Sequence, residues 1–377
     1  MAAGPNAALV GDPGARARLA TPCLLLDADA FEHNLAAMME LVRGSGRQLR
    51  PHVKAHKCTG IARRQLEAGA VGLCCATVRE AEVMAGAGFR GILVTSPVTA
   101  PAMVERLARA HDRAPDLAVV VDSEAGLEAL AAAGISAERP LGVVVEIDVG
   151  QRRTGVTRPE DAVRLARRIL DLPQLRYRGV QAYYGHLQHV PAYADRKAKA
   201  AEQWARLQPF LDALRAEGLA PEIVTGGGTG TCHLDLEDGP FTEVQPGSYL
   251  FLDRQYGAVE LAPGGTAPFR TSLAVAARVI SANQPDLVVL DAGFKAMATD
   301  AGPALVASGA PPDAAYQFMG DEHGGLRFGA QAARPRVGDL VTLVAPHCDP
   351  TVNLHDWLHV MQDDRLVDLW PIDARGY

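Results

Sequence analysis

The chain has 377 residues, 48% hydrophobic and 21% charged, with a formal net charge of −7 at pH 7. This is an ordinary globular balance, long for a single core, and it predicts one large domain and a smaller one. The acidic balance argues against a nucleic-acid partner, no apolar run reaches the ~20 residues of a membrane span, and no basic region followed by an apolar core marks a signal peptide. Six cysteines (Cys23, Cys58, Cys74, Cys75, Cys232 and Cys348) show no C-x-x-C spacing. In a chain of this length they fit reduced thiols of a cytoplasmic protein better than a disulfide framework.

Along the chain, β-branched apolar runs alternate with Ala/Leu/Arg/Glu-rich helical stretches. The strand-like runs are Leu49–Lys54, Gly72–Ala76, Ile92–Ser96, Leu117–Asp122, Gly142–Asp148, Arg178–Tyr184, Ile223–Gly227 and Glu243–Gln245. Helices are predicted over Val78–Ala87, Pro101–His111, Glu124–Ala133, Pro159–Leu170 and Ala192–Glu217, several with polar starts at Thr77, Ser123 and Arg158-Pro159. Strand–helix alternation implies parallel strands with crossover helices, and eight such units predict an α/β fold, a closed (β/α)8 TIM-type barrel. An open doubly wound sheet is the alternative, disfavoured because no G-x-G-x-x-G follows the first strand. After about Leu261 the helical pattern fades into short β-type runs, Ser272–Ile280, Asp286–Leu290, Leu340–Val344, His359–Gln362 and Leu366–Trp370, punctuated by Gly and Pro. The predicted division is residues 1–26 joining the β-domain, 27–260 the barrel and 261–377 the C-terminal β-domain.

Six segments carry chemistry. Leu49 to Lys57 reads as a strand ending on Lys54 with Lys57, His52 and His56 close by. A lysine at a barrel strand's C-terminal end faces the site, and cationic neighbours or burial would depress its pKa for Schiff-base chemistry. The alternative is a basic surface turn. Gly226-Gly227-Gly228-Thr229 after the seventh strand, with Thr225 before it, offers backbone N–H groups and hydroxyls to a phosphate, and Gly247 and Ser248 after the eighth could complete that cradle. Arg153 follows the fifth strand; Tyr183, His186 and His189 follow the sixth and offer an aromatic face and candidate general bases. In His347-Cys348-Asp349 an imidazole and a carboxylate at i and i+2 would share one face of an extended strand, with Cys348 on the other, and would suit a divalent ion with open coordination positions. Such a pair is also common on polar surfaces.

As a set these segments resemble the alanine-racemase-like, fold-type III pyridoxal-phosphate (PLP) enzymes, within the D-threonine aldolase and D-serine dehydratase branch. The resemblance spans nearly the whole chain. It rests on Thr21-Pro22, the R-P-H-x-K-x-H-K stretch from Arg50 to Lys57, Gly72 to Ala76, Gly185 to His189, the triple glycine, Asp291-Ala292-Gly293 with Lys295, Asp321-Glu322-His323-Gly324 and His347 to Thr351. It implies that Lys54 carries PLP, that Arg153 faces the cofactor's phenolic oxygen and that Tyr183 lies beside the ring. Thr225, Gly226, Gly227, Gly228, Thr229, Gly247 and Ser248 would hold the phosphate region, and His347 and Asp349 a divalent metal, Mn²⁺ first, with Zn²⁺ or Mg²⁺ as alternatives. Where alanine racemases carry an arginine near the pyridine nitrogen, this chain has Gln245, so the ring's electronics should differ. The dehydratase branch has His-x-Cys where this chain has His-x-Asp.

The resemblance therefore implies an aldolase that cleaves D-threonine and related D-3-hydroxy-amino acids to glycine and an aldehyde. Lys54, Tyr183 and His189 would be its catalytic groups, in a homodimer whose partner's β-domain caps each barrel mouth. Three alternatives stand beside it: a D-serine or 3-hydroxyaspartate dehydratase, a 3-hydroxyaspartate aldolase, and a non-catalytic PLP-homeostasis protein.

Overall fold

Eight parallel strands form a closed barrel in the computed structural model of the chain, which describes residues 4–265, 268–329 and 333–376. In chain order they are Gln48–Leu49, Leu73–Cys75, Ile92–Val94, Ala118–Val121, Leu141–Glu146, Leu175–Ala182, Ile223–Gly226 and Glu243–Val244. The second to eighth pair sequentially, and the eighth pairs back with the first through Gln48–Glu243 and Leu49–Val244. The remaining seam, between first and second, is closed by the Val71 N–H donating to Leu49 O and the Cys74 N–H to Pro51 O, each at 2.9 Å. Arg50 reinforces the first–eighth contact with a buried two-pronged bond to Glu243 at 2.7 and 2.8 Å, the geometry in which a guanidinium best offsets the burial of a carboxylate.

Period-two alternation assigns the strand side chains to two environments. Ala118, Val120 and Val144 join Cys74 and Leu93 in one small cluster. Val119, Val121, Val143 and Val145 belong instead to the large core that the helices complete. Helix starts follow local chemistry: the Thr77 hydroxyl accepts from Glu80 N–H and the Ser123 hydroxyl from Gly126 N–H, while Arg158 makes no side-chain cap and Pro159 opens its helix by its fixed φ. Helices at Ala28–Ser45, Thr59–Glu67 and Cys232–Glu237 were not predicted. The first of them is capped by Asp27 and ended by Gly46 at φ 67°.

The second sheet has nine strands and is mostly antiparallel. Its spine runs Ala315–Phe318, Gly324–Arg327, Leu287–Leu290, Leu273–Ser281, Cys23–Asp27, Trp357–Gln362, Arg365–Pro371, with Leu340–Val344 and Leu305–Ser308 continuing from Leu273–Ser281. Cys23–Asp27 lies between Leu273–Ser281, antiparallel, and Trp357–Gln362, parallel. Residues 1–3 and 377, the outer limits of the predicted N-terminal and C-terminal segments, lie outside the described residues. Among the described residues no helix is long and apolar enough to cross a membrane.

Two local expectations are overturned. The first strand stops at Leu49, and Lys54 sits in a 3₁₀ turn, Val53–Ala55, not at a strand's end. Pro51 has no N–H to give a ladder, and the His52 ring accepts from the Lys54 N–H to start the turn. His347 and Asp349 do not alternate on a strand either. His347 is the extended residue before the helix Cys348–Asn353, and Asp349 lies in that helix's first turn with Pro350, a residue suited to helix starts. Cys348 therefore does not point away from Asp349; its thiol lies 3.3 Å from Asp349 Oδ1.

Candidate active site

A cleft opens at the C-terminal ends of the barrel strands. Lys54, Arg153, Tyr183, Gly227, Gly228, Thr229, Gln245, Gly247 and Ser248 line it. Thr225 and Gly226 lie directly behind: Gln245 donates its side-chain amide to Thr225 Oγ1 at 2.9 Å and its backbone N–H to Gly226 O at 3.0 Å. The Arg153 guanidinium stands over the Tyr183 ring, 5.3 Å from its centroid, a cation–π contact that aligns the two.

The glycine loop is shaped for an anion. Gly227 adopts φ +71°, and a Cβ there would collide with the Asp235 carboxylate. At Gly228 a Cβ would come within 2.6 Å of Gln188 Oε1. The Thr229 hydroxyl is buried and has no partner among the described residues, an arrangement that awaits an external acceptor. Ser248 departs from a purely phosphate-facing role, since its hydroxyl donates to Asp349 Oδ1 at 3.2 Å.

Behind the loop, Tyr184 and Trp204 both donate to Asp235 Oδ1, while Oδ2 has no partner among the described residues. Burial pushes the Asp235 carboxyl up to about 6, against hydrogen bonds from Tyr184, Thr231 and Trp204 that favour the charged form. A carboxyl whose folded pKa exceeds its unfolded value binds the extra proton in the native state. Its stabilisation is complete below the unfolded value and is lost as pH rises through the folded one; a gap of about two pH units corresponds to roughly 3 kcal/mol. Asp235→Asn is therefore expected to flatten the fall in stability between about pH 4 and 6, read from urea midpoints across that range. An unchanged slope in the variant would refute this assignment.

The second half of the site comes from the turn and short helix that follow strand Leu340–Val344 of the other sheet. Asp349 Oδ2 lies 3.4 Å from Lys54 Nζ. The expected cationic surroundings of Lys54 are not found: Lys57 is tied to Glu80 at 2.5 Å, and burial holds His52 well below the usual imidazole range and His56 at about 4. The Asp349 charge instead pushes Lys54 upward, more than burial opposes it. Burial raises the Asp349 carboxyl, but Lys54 and His347 together outweigh it and hold it below the usual range.

His347 Nδ1 lies 2.7 Å from Asp300 Oδ2. A carboxylate on one ring nitrogen fixes the tautomer and leaves Nε2 to coordinate, the usual support of a metal-binding histidine. Asp253 braces the turn by accepting from the Cys348 and Tyr256 N–H groups. Among the described residues no cluster of three or more His, Cys, Asp or Glu side chains has metal-binding geometry. The donor set is one imidazole and one carboxylate, which leaves coordination positions for water and substrate.

His189 does not line the cleft itself. It packs on Tyr256, which does, with ring centroids 4.7 Å apart. His189 is exposed on its outer side, yet desolvation of the ring where it packs inward holds it below the usual imidazole range, so the neutral, proton-accepting form prevails at neutral pH. His186 is exposed. Sequence reasoning missed Gln181, Thr95, Tyr256, Asp253 and Asp300. Gln181 and Thr95 lie near the ends of recognised strands and Tyr256 in the short helix Arg254–Gly257, but no motif distinguishes them; the two aspartates act across the sheets and leave no local signal.

The barrel's strand ends thus gather a lysine and a glycine loop, and the turn at His347–Asp349 brings an imidazole and a carboxylate beside them. The model "Alanine racemase, N-terminal domain" matches residues 26–255, and a serine dehydratase domain model matches residues 272–361. The chain belongs to this alanine-racemase-like family, for which PLP is the expected cofactor. It is 41% identical over 374 residues to a D-threonine aldolase of Arthrobacter sp., covering 99% of this chain and 97% of the relative. It is 39% identical over 360 residues to a 3-hydroxy-D-aspartate aldolase of Paracoccus denitrificans (strain Pd 1222), covering 94% and 92%. The crystal structure of D-threonine aldolase from Filomicrobium marinum superposes with a TM-score of 0.91 at 38% identity, covering 96% of this chain and 97% of that one.

Proposed function

We propose that this chain is a PLP- and divalent-metal-dependent aldolase that cleaves D-threonine and related D-3-hydroxy-amino acids to glycine and an aldehyde. One observation carries the reading: Lys54 Nζ and the Asp349 carboxylate, 3.4 Å apart, bring a cofactor-type lysine and a hard metal donor into one cleft. The aldolase relatives support it over nearly the full chain. An oxygen donor, where the dehydratase branch resembles His-x-Cys, supports cleavage over dehydration. A mere PLP carrier would have no use for the His347–Asp349 pair.

In this reading Lys54 holds PLP covalently, Arg153 faces its phenolic oxygen and Tyr183 flanks the ring. The glycine loop, Thr229 and the Gly247 N–H hold the phosphate. When bound, PLP supplies an electron sink for the pair left on Cα, and a divalent metal on His347 and Asp349 supplies Lewis acidity toward the substrate's 3-hydroxyl. His189, neutral, accepts the 3-hydroxyl proton. That oxygen becomes the aldehyde carbonyl as the Cα–Cβ bond breaks, and a proton delivered to Cα gives glycine. His189→Ala should lose roughly 10²–10⁴-fold in turnover, the usual worth of a positioned general base, while still binding PLP. In the parent enzyme turnover should fall as pH drops through the lowered His189 value, because the imidazole then carries the proton it has to accept.

The deciding assay incubates the protein with PLP, Mn²⁺ and each threonine stereoisomer or 3-hydroxy-D-aspartate and separates the products. Glycine and acetaldehyde from D-threonine, with little ammonia, are expected. Stoichiometric ammonia and a 2-oxo acid without aldehyde would replace the aldolase with a dehydratase. The same reading includes Mn²⁺ as the metal, a homodimer and a cytoplasmic location; six free, buried thiols support the last.

A further inference from the structure

We infer that Gln245 presents its side-chain oxygen to the cleft as a fixed hydrogen-bond acceptor, and so holds the pyridine nitrogen of bound PLP in its protonated form. The inference rests on the PLP reading above and adds Gln181 and the Thr95 carbonyl as the positioning groups. Gln181 Nε2 donates to Thr95 O at 3.0 Å. A backbone carbonyl can only accept, so this bond fixes which end of the Gln181 amide is nitrogen. Gln181 Oε1 must then face the other way, where it accepts from Gln245 Nε2 at 3.1 Å. The second Nε2 hydrogen of Gln245 goes to Thr225 Oγ1 at 2.9 Å.

Both donors of the Gln245 amide are thereby committed inside the protein. Its Oε1 has no protein partner among the described residues, and Gln245 lines the cleft. Flipping Gln245 would set oxygen against Gln181 Oε1. Flipping Gln181 as well would set oxygen against a carbonyl that cannot turn. The polarity is built into the barrel register, which pairs Gln181 with Thr225 on adjacent parallel strands. An unprotonated pyridine nitrogen is an acceptor and would meet another acceptor; a pyridinium N–H matches it. An arginine, which only donates, demands the opposite state. A ring nitrogen that keeps its proton withdraws electrons from Cα more strongly than a neutral one.

The test is 15N NMR of the holoenzyme loaded with PLP labelled at the pyridine nitrogen, a readout independent of turnover. The parent protein is expected in the pyridinium range, Gln245→Glu should stay there, and Gln245→Arg should move to the neutral-pyridine range. Gln181→Met keeps side-chain bulk but removes the directing amide, and its resonance should shift toward neutral pyridine. A neutral-pyridine resonance in the parent complex overturns the inference while leaving the PLP reading intact. An unshifted Gln181→Met resonance overturns the directing role of Gln181. Absence of any PLP complex with visible absorbance overturns both.

Discussion

Lys54→Ala is expected to abolish the visible absorbance of the PLP complex and to reduce turnover by at least about 10⁴-fold, beyond the range of a lone general base. Lys54 is partly exposed and lines the cleft. The competing lysine of the same motif is poorly suited. Lys57 is buried and held by Glu80 at 2.5 Å, and its removal would strand that carboxylate. Borohydride reduction followed by peptide mapping decides between them: the pyridoxyl group should appear on the Lys54 peptide, and its appearance on Lys57 would refute the assignment.

Chelation is expected to suppress cleavage by about 10²–10⁴-fold, the scale of several kcal/mol of Lewis-acid stabilisation, with the PLP absorbance largely retained and Mn²⁺ restoring turnover. Two protein donors hold a metal loosely enough for exchange, and neither belongs to the barrel wall that lines the phosphate cradle. Asp300 offers a sharper version. It touches His347 Nδ1 from outside the donor pair, so Asp300→Asn should weaken metal affinity by about 10–100-fold and leave PLP affinity unchanged. Full turnover in rigorously metal-free enzyme would sink the metal-assisted mechanism.

Much of this was legible in the residues because it is local. Strand–helix alternation reports burial on two faces, and the valines of Ala118–Val121 and Leu141–Glu146 carried it without ambiguity. The glycine loop was legible because only glycine tolerates the Gly227 backbone. What escaped was set by contacts remote in sequence. The imidazole and carboxylate of His347 and Asp349 were recognised as a pair, but the wrong geometry was assigned because strand periodicity was applied where Pro350 starts a helix. The charge state of Lys54 was misread because its nearest ionised partner, Asp349, lies almost 300 residues away while its cationic sequence neighbours are either neutralised by burial or already paired. Asp253 and Asp300 could not be singled out at all, since their importance exists only once the second sheet docks.

The position of Cys23–Asp27 has a consequence for how the protein is made. Synthesis reaches this strand well before either of its two sheet neighbours, Leu273–Ser281 and Trp357–Gln362. The strand has no neighbour until Leu273–Ser281 is made, and its second edge stays open until Trp357–Gln362 follows. The nascent enzyme thus passes through a stage in which the lysine-bearing half of the site exists without its carboxylate. In that interval chaperones that shield open strand edges would have their main work to do on this chain.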